Sequence, residues 1–348
     1  MTNEQILRRR MHGLYLTRKC GDIVELSREL LVLHCWFHRN GAFSALIRGA
    51  EIGGWKTALT KTWLYRGTLH GVAYDDLPQL LALHPFTGYS KWLLGDARTH
   101  MAEEIADEVM RCMEDGVYSR AEMRRIFADR YDAEIIASIF SSWGGIFVSL
   151  AKQGKVAFRD MASRDFDLID AEPTQTAEEV LPGLLRRYFE AYGPATLGDA
   201  AYFFDLERDG ATWLGLAHMS QNEAKKRFRA FGLEEYDCFE LGGSTYYCIG
   251  GGADTGDIPE LTLLSGFDPL IVSYIERGAV LPPEYKKKVV LSSGICLPTI
   301  AVNGKVAGLW NIKKGEPVTE FFESVPKRVE RAARERADEI RWRTAGRI

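Results

Sequence analysis

The chain has 348 residues, of which 46% are hydrophobic and 26% are charged, and its formal net charge is −4. This composition is typical of a soluble globular protein and excludes wholesale disorder, while the length is sufficient for two to four small domains. The charge excludes a protein that is basic overall, so binding to a nucleic acid would require a local basic patch.

The cysteine pattern and the hydrophobic profile exclude several further classes. The six cysteines are scattered without a CxxC pair, which argues against a zinc site and favours free thiols in a reducing cytoplasm. The N-terminus lacks the hydrophobic core of a secretion signal. The longest uncharged run, 135–151, is shorter than the roughly 20 apolar residues that span a bilayer. No Walker loop or GxGxxG motif is present, so we expect no cofactor. From the cysteines and the hydrophobic profile we expect a cytoplasmic protein without a metal or a membrane span.

The first hundred residues predict short helices around a pair of strands. Apolar residues recur at helical spacing over 3–13 and again over 22–33, where Asp22 is a favourable N-cap. Further short helices are predicted over 42–48 and 74–83, the second with acidic residues in its first turn. Two helices and a strand pair on this scale are typical of a helix-turn-helix with a wing.

The run from Leu33 to His70 concentrates residues that can carry chemistry, with three of the seven histidines and three of the eight tryptophans. If 34–36 is extended, His34 and Trp36 point to one face and Cys35 points to the other. If it is helical, residues two apart do not share a face. A functional pair is one interpretation, and two half-buried packing residues are the other.

The end of this run also has two interpretations. Strand alternation over 62–70 places Thr68 and His70 on one side. Together with Arg66, and beside Gly67, these side chains suit a phosphate or a sugar. The same residues also suit an ordinary strand end.

The next two stretches repeat the order of helices followed by a hairpin. Over 101–174 the pattern predicts helices at 102–114, 119–130 and 132–153, the last with a candidate bend at Gly144–Gly145, and strands at 155–159 and 166–169. Over 175–255 it predicts helices at 176–192 and 196–204, a further helix after the capping box at Ser220, and a hairpin of 236–241 with 245–249.

The third of these units carries a basic helix. Lys225, Lys226, Arg227 and Arg229 lie on its exposed face. The third helix of a winged helix normally meets a DNA groove, so these residues are candidate DNA contacts. A solvated helix face is the alternative.

Beyond residue 256 the pattern changes to strands. We predict strands at 261–264, 270–274, 287–291, 297–302 and 305–310, with Asn303–Gly304 as a hairpin turn. These favour a small β-barrel. Residues 325–348 predict a closing helix rich in arginine, which is either a solvated face or one wall of a nucleic-acid channel.

Four runs of the sequence carry a resemblance. They are TWLYRGTLHGV, RRYFEAYGPATLGDAA, LLSGFDPLIVSYIER and PTIAVNGKVAGLW, and together they resemble the AlkZ-like (YcaQ-type) DNA glycosylase family. The resemblance implies an α+β fold of three tandem winged-helix units (1–100, 101–174 and 175–255) followed by a small C-terminal β-barrel with its closing helix (256–348). It also implies a C-shaped clamp on double-stranded DNA, formed by a nucleoid-associated monomer.

The same resemblance implies a function in base excision repair. Members of the family hydrolyse the N-glycosidic bond of alkylated purines, and the family's Gln-apolar-Gln catalytic triplet aligns with His34-Cys35-Trp36. An N7-alkylated purine is already cationic and needs no general acid to leave, so the enzyme has only to hold a water and stabilise the cationic sugar. A neutral His34 could position or deprotonate that water, with activity lost below about pH 6. Trp36 could stack on a base or wedge against the duplex.

Two functions follow from this divergent triplet. The first is a DNA glycosylase with His34 and Trp36 in the active site. The second is a catalytically inactive winged-helix protein that binds DNA as a lesion sensor or transcriptional regulator. Both use the same expected DNA contacts, which are Arg39, Arg66, Thr68, His70, Lys225, Lys226 and Arg229.

Overall fold

The computed structural model describes residues 1–89, 91–95, 98–206, 221–250 and 255–346. The 3-10 turn Tyr65–Gly67 joins two strands near the start of the chain. The elements up to residue 95 are α1 (Asn3–Gly13), α2 (Ile23–Glu29), β1 (Leu33–His34), α3 (His38–Ile47), α4 (Trp55–Ala58), β2 (Thr60–Trp63), β3 (Leu69–Val72), α5 (Leu77–Ala82) and α6 (Lys91–Leu94). This order confirms the predicted strand pair and helices, except that the helix predicted over 22–33 ends at Glu29 and that α4 and α6 were not predicted.

Helices and hairpins alternate through the middle of the chain. The elements are α7 (Met101–Glu114), α8 (Arg120–Phe127), α9 (Ala133–Ile139), α10 (Ile146–Lys152), β4 (Val156–Phe158), β5 (Phe166–Leu168), α11 (Ala177–Tyr192), α12 (Leu197–Phe203), α13 (Gln221–Phe228), β6 (Asp237–Leu241) and β7 (Ser244–Cys248). The capping box predicted at Ser220 lies outside the described residues. No helix in the described ranges is long and apolar enough to cross a membrane.

Local capping chemistry fixes where several helices begin. The Asp22 carboxylate accepts hydrogen bonds from the N–H groups of Val24 and Glu25, both at 2.8 Å. At the start of α11, Thr176 and Glu179 form a reciprocal capping box. These bonds satisfy N–H groups that have no partner inside the helix. The helix starts predicted from these residues are confirmed.

The single helix predicted over 132–153 is wrong, because Gly144 and Gly145 separate α9 from α10. Gly145 has φ +56° and ψ −132°, a conformation that favours glycine. A Cβ there would lie 2.1 Å from the carbonyl oxygen of Ile139. The start of α10 therefore lies against the end of α9, and the chain forms two separate helices in place of one bent helix.

One antiparallel sheet contains strands from both the first stretch of the chain (1–100) and the second stretch (101–174). Its strand order is β1-β3-β2-β4-β5, and Lys61 of β2 pairs with Phe158 of β4. Lys61 Nζ also donates to the carbonyl oxygen of Met161 at 3.0 Å. The Trp63 ring packs on Phe158 and Phe166, with centroids 4.8 and 5.9 Å apart. The strands predicted as two separate wings thus form a continuous surface.

The C-terminal part is an open sheet with a closing helix. Its elements are β8 (Leu261–Leu264), α14 (Pro269–Val272), α15 (Lys286–Val289), β9 (Thr299–Val302), β10 (Lys305–Lys313), β11 (Glu316–Phe321) and α16 (Lys327–Thr344). The strands have the order β8-β9-β10-β11, and the described residues form no closed barrel. The barrel prediction is wrong because 270–274 and 287–291 lie largely in the short helices α14 and α15.

Two local features of this region are informative. The hairpin predicted at Asn303–Gly304 is confirmed, with φ +47° and +77°, as a two-residue turn with positive φ at both positions requires. On α16, Arg336 pairs with Glu339 and Arg341 with Asp338, both at 2.7 Å. These intrahelical pairs favour the interpretation of the arginine-rich helix as a solvated face.

A buried ion pair connects α3 to the start of α14. The Arg48 guanidinium donates to both carboxylate oxygens of Asp268 at 3.0 and 3.1 Å, and both side chains are inaccessible to solvent. Arg48 Nε also donates to the carbonyl oxygen of Leu14 at 2.8 Å. This pair links residues 220 positions apart in the sequence.

Replacing Arg48 by methionine should lower the free energy of unfolding by about 3–5 kcal/mol, because Asp268 would remain buried without its partner. Urea unfolding at pH 7 measures this loss. Arg28→Met is the control, since the Arg28–Asp75 pair at 3.2 Å is exposed and should contribute less than about 1 kcal/mol. Equal losses in the two variants would contradict the assignment.

Candidate active site

Three polar side chains form a row across the first three strands. His34 of β1 and Thr62 of β2 are both Cα partners of His70 on β3, which lies between them. Cross-strand partners point to the same face of a sheet. His34 is 8% exposed, and Thr62 and His70 are completely buried. The extended conformation considered for 34–36 is found only at His34, where β1 ends, and Trp36 lies in a bend.

The His34 ring lies between two other rings. Its centroid is 4.6 Å from that of His70 and 5.9 Å from that of Phe267, which stacks on it at 23°. Neither ring nitrogen of His34 has a hydrogen-bond partner among the described residues, and the Thr62 hydroxyl and Tyr65 Oη are likewise unpaired. Buried polar atoms without partners are uncommon and costly, so this concentration marks a candidate site.

His70 is held in one tautomer by the residue two positions before it. His70 Nδ1 lies 3.1 Å from the carbonyl oxygen of Thr68, which can only accept, so Nδ1 carries the proton. His70 Nε2 then carries the lone pair. It lies 3.3 Å from the Thr68 hydroxyl, whose single proton can be donated either to Nε2 or to the carbonyl oxygen of Tyr65 at 3.1 Å. The predicted proximity of Thr68 and His70 is confirmed. Direct DNA contact by His70 does not match its complete burial, and its contact is instead with His34.

Both histidines are neutral at pH 7. Burial lowers the pKa of His34 well below its ordinary value, and the nearby His70 and Arg66 lower it further. Burial, together with Arg66, lowers the pKa of His70 to about 3. A neutral imidazole has one nitrogen that can accept a proton. His34 is therefore a candidate base, since no described residue forms a hydrogen bond with its ring.

The turn that follows β2 is fixed by residues far along the chain. Arg66 has φ +56°, and its N–H donates to the Asp205 carboxylate at 2.8 Å. Its guanidinium donates to the carbonyl oxygen of Val272 at 3.1 Å and lies 5.0 Å from the Tyr202 ring. Arg66 was expected to contact DNA, and in this structure its half-buried side chain holds the turn that precedes His70.

The loop that carries Phe267 is equally constrained. Phe267 has φ +56°, an unfavourable conformation for a bulky residue, and its N–H donates to the carbonyl oxygen of Cys296 at 3.1 Å. A Cβ on Gly266 would lie 3.0 Å from the Asn40 amide. Asp268 follows directly and is held by Arg48. These contacts place the Phe267 ring on His34.

Trp36, two residues after His34, packs against a tryptophan from the second stretch of the chain. Trp36 is half-buried, and Trp143, in the loop between α9 and α10, is 71% exposed. Their ring centroids are 5.8 Å apart, with the planes tilted by 36°. His34 and Trp36 thus make different contacts, His34 with His70 and Phe267 and Trp36 with Trp143.

Comparison with known proteins identifies the family. A family model described as DNA glycosylase AlkZ-like matches residues 56–340. The chain belongs to this family. The matched region contains the run from Arg66 to His70 and begins after the His34-Cys35-Trp36 triplet, so it covers only part of the site.

A sequence comparison and a structure comparison each find a DNA glycosylase of Streptomyces sahachiroi. The chain is 27% identical over 285 residues to an interstrand DNA cross-link repair glycosylase, covering 76% of this chain and 73% of that protein. The structure is similar to that of the DNA glycosylase AlkZ, with a TM-score of 0.73 at 23% identity, covering 98% and 97% of the two chains. At this identity the structural likeness establishes the fold.

The remaining expected DNA contacts of this AlkZ-like protein lie in two places. Arg39 is exposed on the first turn of α3, and Lys225 and Lys226 are exposed on α13. Arg229 begins the 3-10 turn Arg229–Phe231, and its side chain lies outside the described part of the chain. Within the described ranges, no ion pair joins Arg39, Lys225 or Lys226 to an acidic residue. Arg227 differs, since it pairs with Glu178 at 3.6 Å.

Sequence reasoning missed three residues of the site region, which are Asp205, Phe267 and Trp143. Phe267 lies in LLSGFDPLIVSYIER, a run that carries the AlkZ-like resemblance, and that was the available signal. Trp143 precedes two glycines in a long uncharged stretch. These glycines were the available signal for a turn that exposes the tryptophan. Nothing local distinguishes Asp205 from an ordinary helix-end aspartate.

The buried neutral histidines should make the protein less stable in acid. Their pKa values in the folded state are lower than the ordinary 6.5. As the pH decreases through 6.5, the unfolded chain therefore binds protons that the folded protein does not, and the free energy of unfolding decreases. Each histidine should cost about 1.4 kcal/mol between pH 7.5 and 5.5. Urea unfolding at both pH values should show a loss smaller by that amount in His34→Phe than in the wild type.

His100→Phe is the control for this measurement, because His100 is exposed at the start of α7. It should show the pH dependence of the wild type. A loss in His34→Phe as large as that in the wild type would contradict a buried, neutral His34.

Proposed function

We propose that this AlkZ-like DNA glycosylase hydrolyses the N-glycosidic bond of N7-alkylated purines in double-stranded DNA, with His34 as the residue that handles the attacking water. The observation that carries the proposal is the state of His34. Its ring is neutral and lies in a row of polar side chains, and neither ring nitrogen has a hydrogen-bond partner within the described part of the chain. The curated relative is named for repair of cross-linked DNA, which supports damaged DNA as the substrate.

The chemistry asks little of the protein beyond this residue. The N-glycosidic bond breaks with its electron pair moving into the cationic purine, which leaves as a neutral base. The oxygen of water bonds to the sugar carbon, and one of its protons passes to the free nitrogen of His34. The neutral rings of His34 and His70 add no positive charge beside the developing sugar cation. The Arg66 guanidinium, whose charge lowers the pKa of both histidines, donates to the carbonyl oxygen of Val272.

Burial of His34 also changes the expected pH dependence. An ordinary histidine would lose its base form near pH 6.5, and the sequence predicted loss of activity below about pH 6. Because burial lowers the pKa of His34, the base form persists to lower pH. The acid limit of the reaction accordingly lies below pH 6.

DNA binding is proposed to use the helix and hairpin units around this site. We infer that 1–100, 101–174 and 175–255 act as winged-helix units of a monomeric, C-shaped clamp, with 256–348 closing it. Arg39, Lys225 and Lys226 are exposed and are the proposed phosphate contacts. The half-buried Arg66 and Thr68 border the same site.

A second function is favoured by the burial of the His34 nitrogens. If water cannot reach the His34 nitrogens, His34 cannot act as a general base. The protein would then recognise damaged DNA without hydrolysing the glycosidic bond. The Thr62 and Tyr65 hydroxyl groups, which have no hydrogen-bond partner among the described residues, support the first function, because burying such groups is costly unless they serve a ligand or water.

Base release separates the two functions. On a duplex that contains N7-methylguanine, the wild type should release the base, and His34→Ala should lower the single-turnover rate constant by about 10²- to 10⁴-fold, the contribution of a positioned base. His34→Gln should retain part of the rate, since an amide oxygen can hold a water without taking its proton. His100→Ala should match the wild type.

Two outcomes would contradict the glycosylase proposal. One is tight duplex binding by the wild type without release, which would favour the lesion sensor. The other is a wild-type rate constant that falls with a midpoint near pH 6.5, which would exclude a buried His34 as the base.

The DNA interface has its own test. Lys225→Gln with Lys226→Gln should weaken binding to duplexes of any sequence and reduce the magnitude of the slope of log K against log salt by about 2, because two phosphate contacts are lost. Titrations from 50 to 200 mM salt measure the slope. Lys286→Gln with Lys287→Gln, an exposed pair on α15, is the control, and an equal change in both variants would remove α13 from the interface.

A further inference from the structure

Trp143 is the most exposed large hydrophobic side chain among the described residues, at 71%. A single exposed apolar residue is ordinary on a protein surface, but this one is part of a pair. Trp36 packs against one side of it with ring centroids 5.8 Å apart. The two indoles together present an aromatic surface that no described residue covers at Trp143.

The loop that carries Trp143 contains a hydrogen-bonded turn. The N–H of Gly144 donates to the carbonyl oxygen of Ser141 at 3.1 Å, which closes a turn around Trp143. Gly144 has φ +124°, and a Cβ there would lie 2.2 Å from Val148 and 3.0 Å from the Trp63 ring. The exposed indole is therefore displayed by a turn that packs tightly against α10 and β2.

Trp36 connects this aromatic surface to the candidate active site. It is two residues after His34, which limits the distance between their Cα atoms to about 7 Å. Trp63, which packs under Gly144, follows Thr62 on β2, so its side chain lies on the opposite face of the sheet from the polar row. Trp143 therefore reaches the site only through Trp36, and the pair is in place for a base whose bond to the sugar lies near His34.

We propose that Trp36 and Trp143 form a stacking surface for the target purine, and that Trp143 makes the protein prefer a purine that carries a positive charge. This inference rests on the proposed glycosylase function and extends it to lesion recognition. The faces of an indole are electron-rich and attract cations, and aromatic side chains stack on any base. A cationic N7-alkylated purine gains both interactions, whereas an undamaged purine gains only stacking.

Two duplexes isolate the effect of charge. One carries 2′-fluoro-N7-methylguanosine, whose sugar resists hydrolysis, and the other carries 2′-fluoro-7-deaza-7-methylguanosine, a neutral base of nearly the same shape. The wild type should bind the cationic duplex about ten-fold more tightly. Trp143→Ala should reduce this ratio to about two-fold or less, and Trp143→Phe should give an intermediate ratio, since a benzene ring attracts cations less than an indole.

The matched control is Trp342→Ala. Trp342 is 67% exposed on α16 and has Arg341 over its ring at 4.6 Å, so it tests for a general effect of removing an exposed indole. It should keep the wild-type ratio. A ratio of one in the wild type, or an unchanged ratio in Trp143→Ala, would overturn the inference.

Release of N7-methylguanine from an unfluorinated duplex separates this inference from the proposed function. Release by the wild type with an unchanged ratio in Trp143→Ala would leave the glycosylase proposal standing and overturn the stacking surface. A ratio that depends on Trp143, without any release, would support the stacking surface and overturn hydrolysis.

Discussion

The ion pair between Arg48 and Asp268 is the constraint on which the site depends. It joins the end of α3 to the loop before α14, and Asp268 also accepts hydrogen bonds from the backbone N–H groups of Ser265 and Leu270. That loop is what places Phe267 on His34. A buried pair of this kind contributes less to stability than its close geometry suggests, because two charges must be desolvated. Its structural effect is to fix one arrangement of two distant segments, and the arrangement of His34 follows from it.

The polar row shows what a local pattern can and cannot predict. Alternation predicted that Thr68 and His70 lie together, because two residues on one strand need no tertiary information. The pairing of His34 with His70 depends on the register between β1 and β3, which a single sequence does not specify. Phe267 comes from a segment whose position is set by a buried ion pair. The extended alternative was correct for His34 alone, since β1 ends there and Trp36 lies in a bend, and the surroundings of the triplet required the structure.

The same division holds for the fold. Capping residues such as Asp22 act within one turn of helix, so helix starts were predictable. The run 270–274 was predicted as a strand because a short apolar run fits a strand and a buried helix equally well. Asp268 and Pro269, an N-cap followed by a first-turn proline, carried the local signal for a helix and were overlooked. The predicted barrel depended on a strand at 270–274. Because this segment is largely helical, the region forms an open sheet of four strands.

The sheet shared by the first two stretches of the chain has a consequence for dissecting the molecule. A cut near residue 100 would remove β4 and turn β2 into an unpaired edge, with Trp63 stripped of Phe158 and Phe166. Open, hydrophobic edges recruit strands from other molecules and promote aggregation. A fragment that ends there would keep His34 and His70 but lose the neighbour that protects their sheet. The first winged-helix-sized unit is therefore a poor module for isolation or for grafting onto another scaffold.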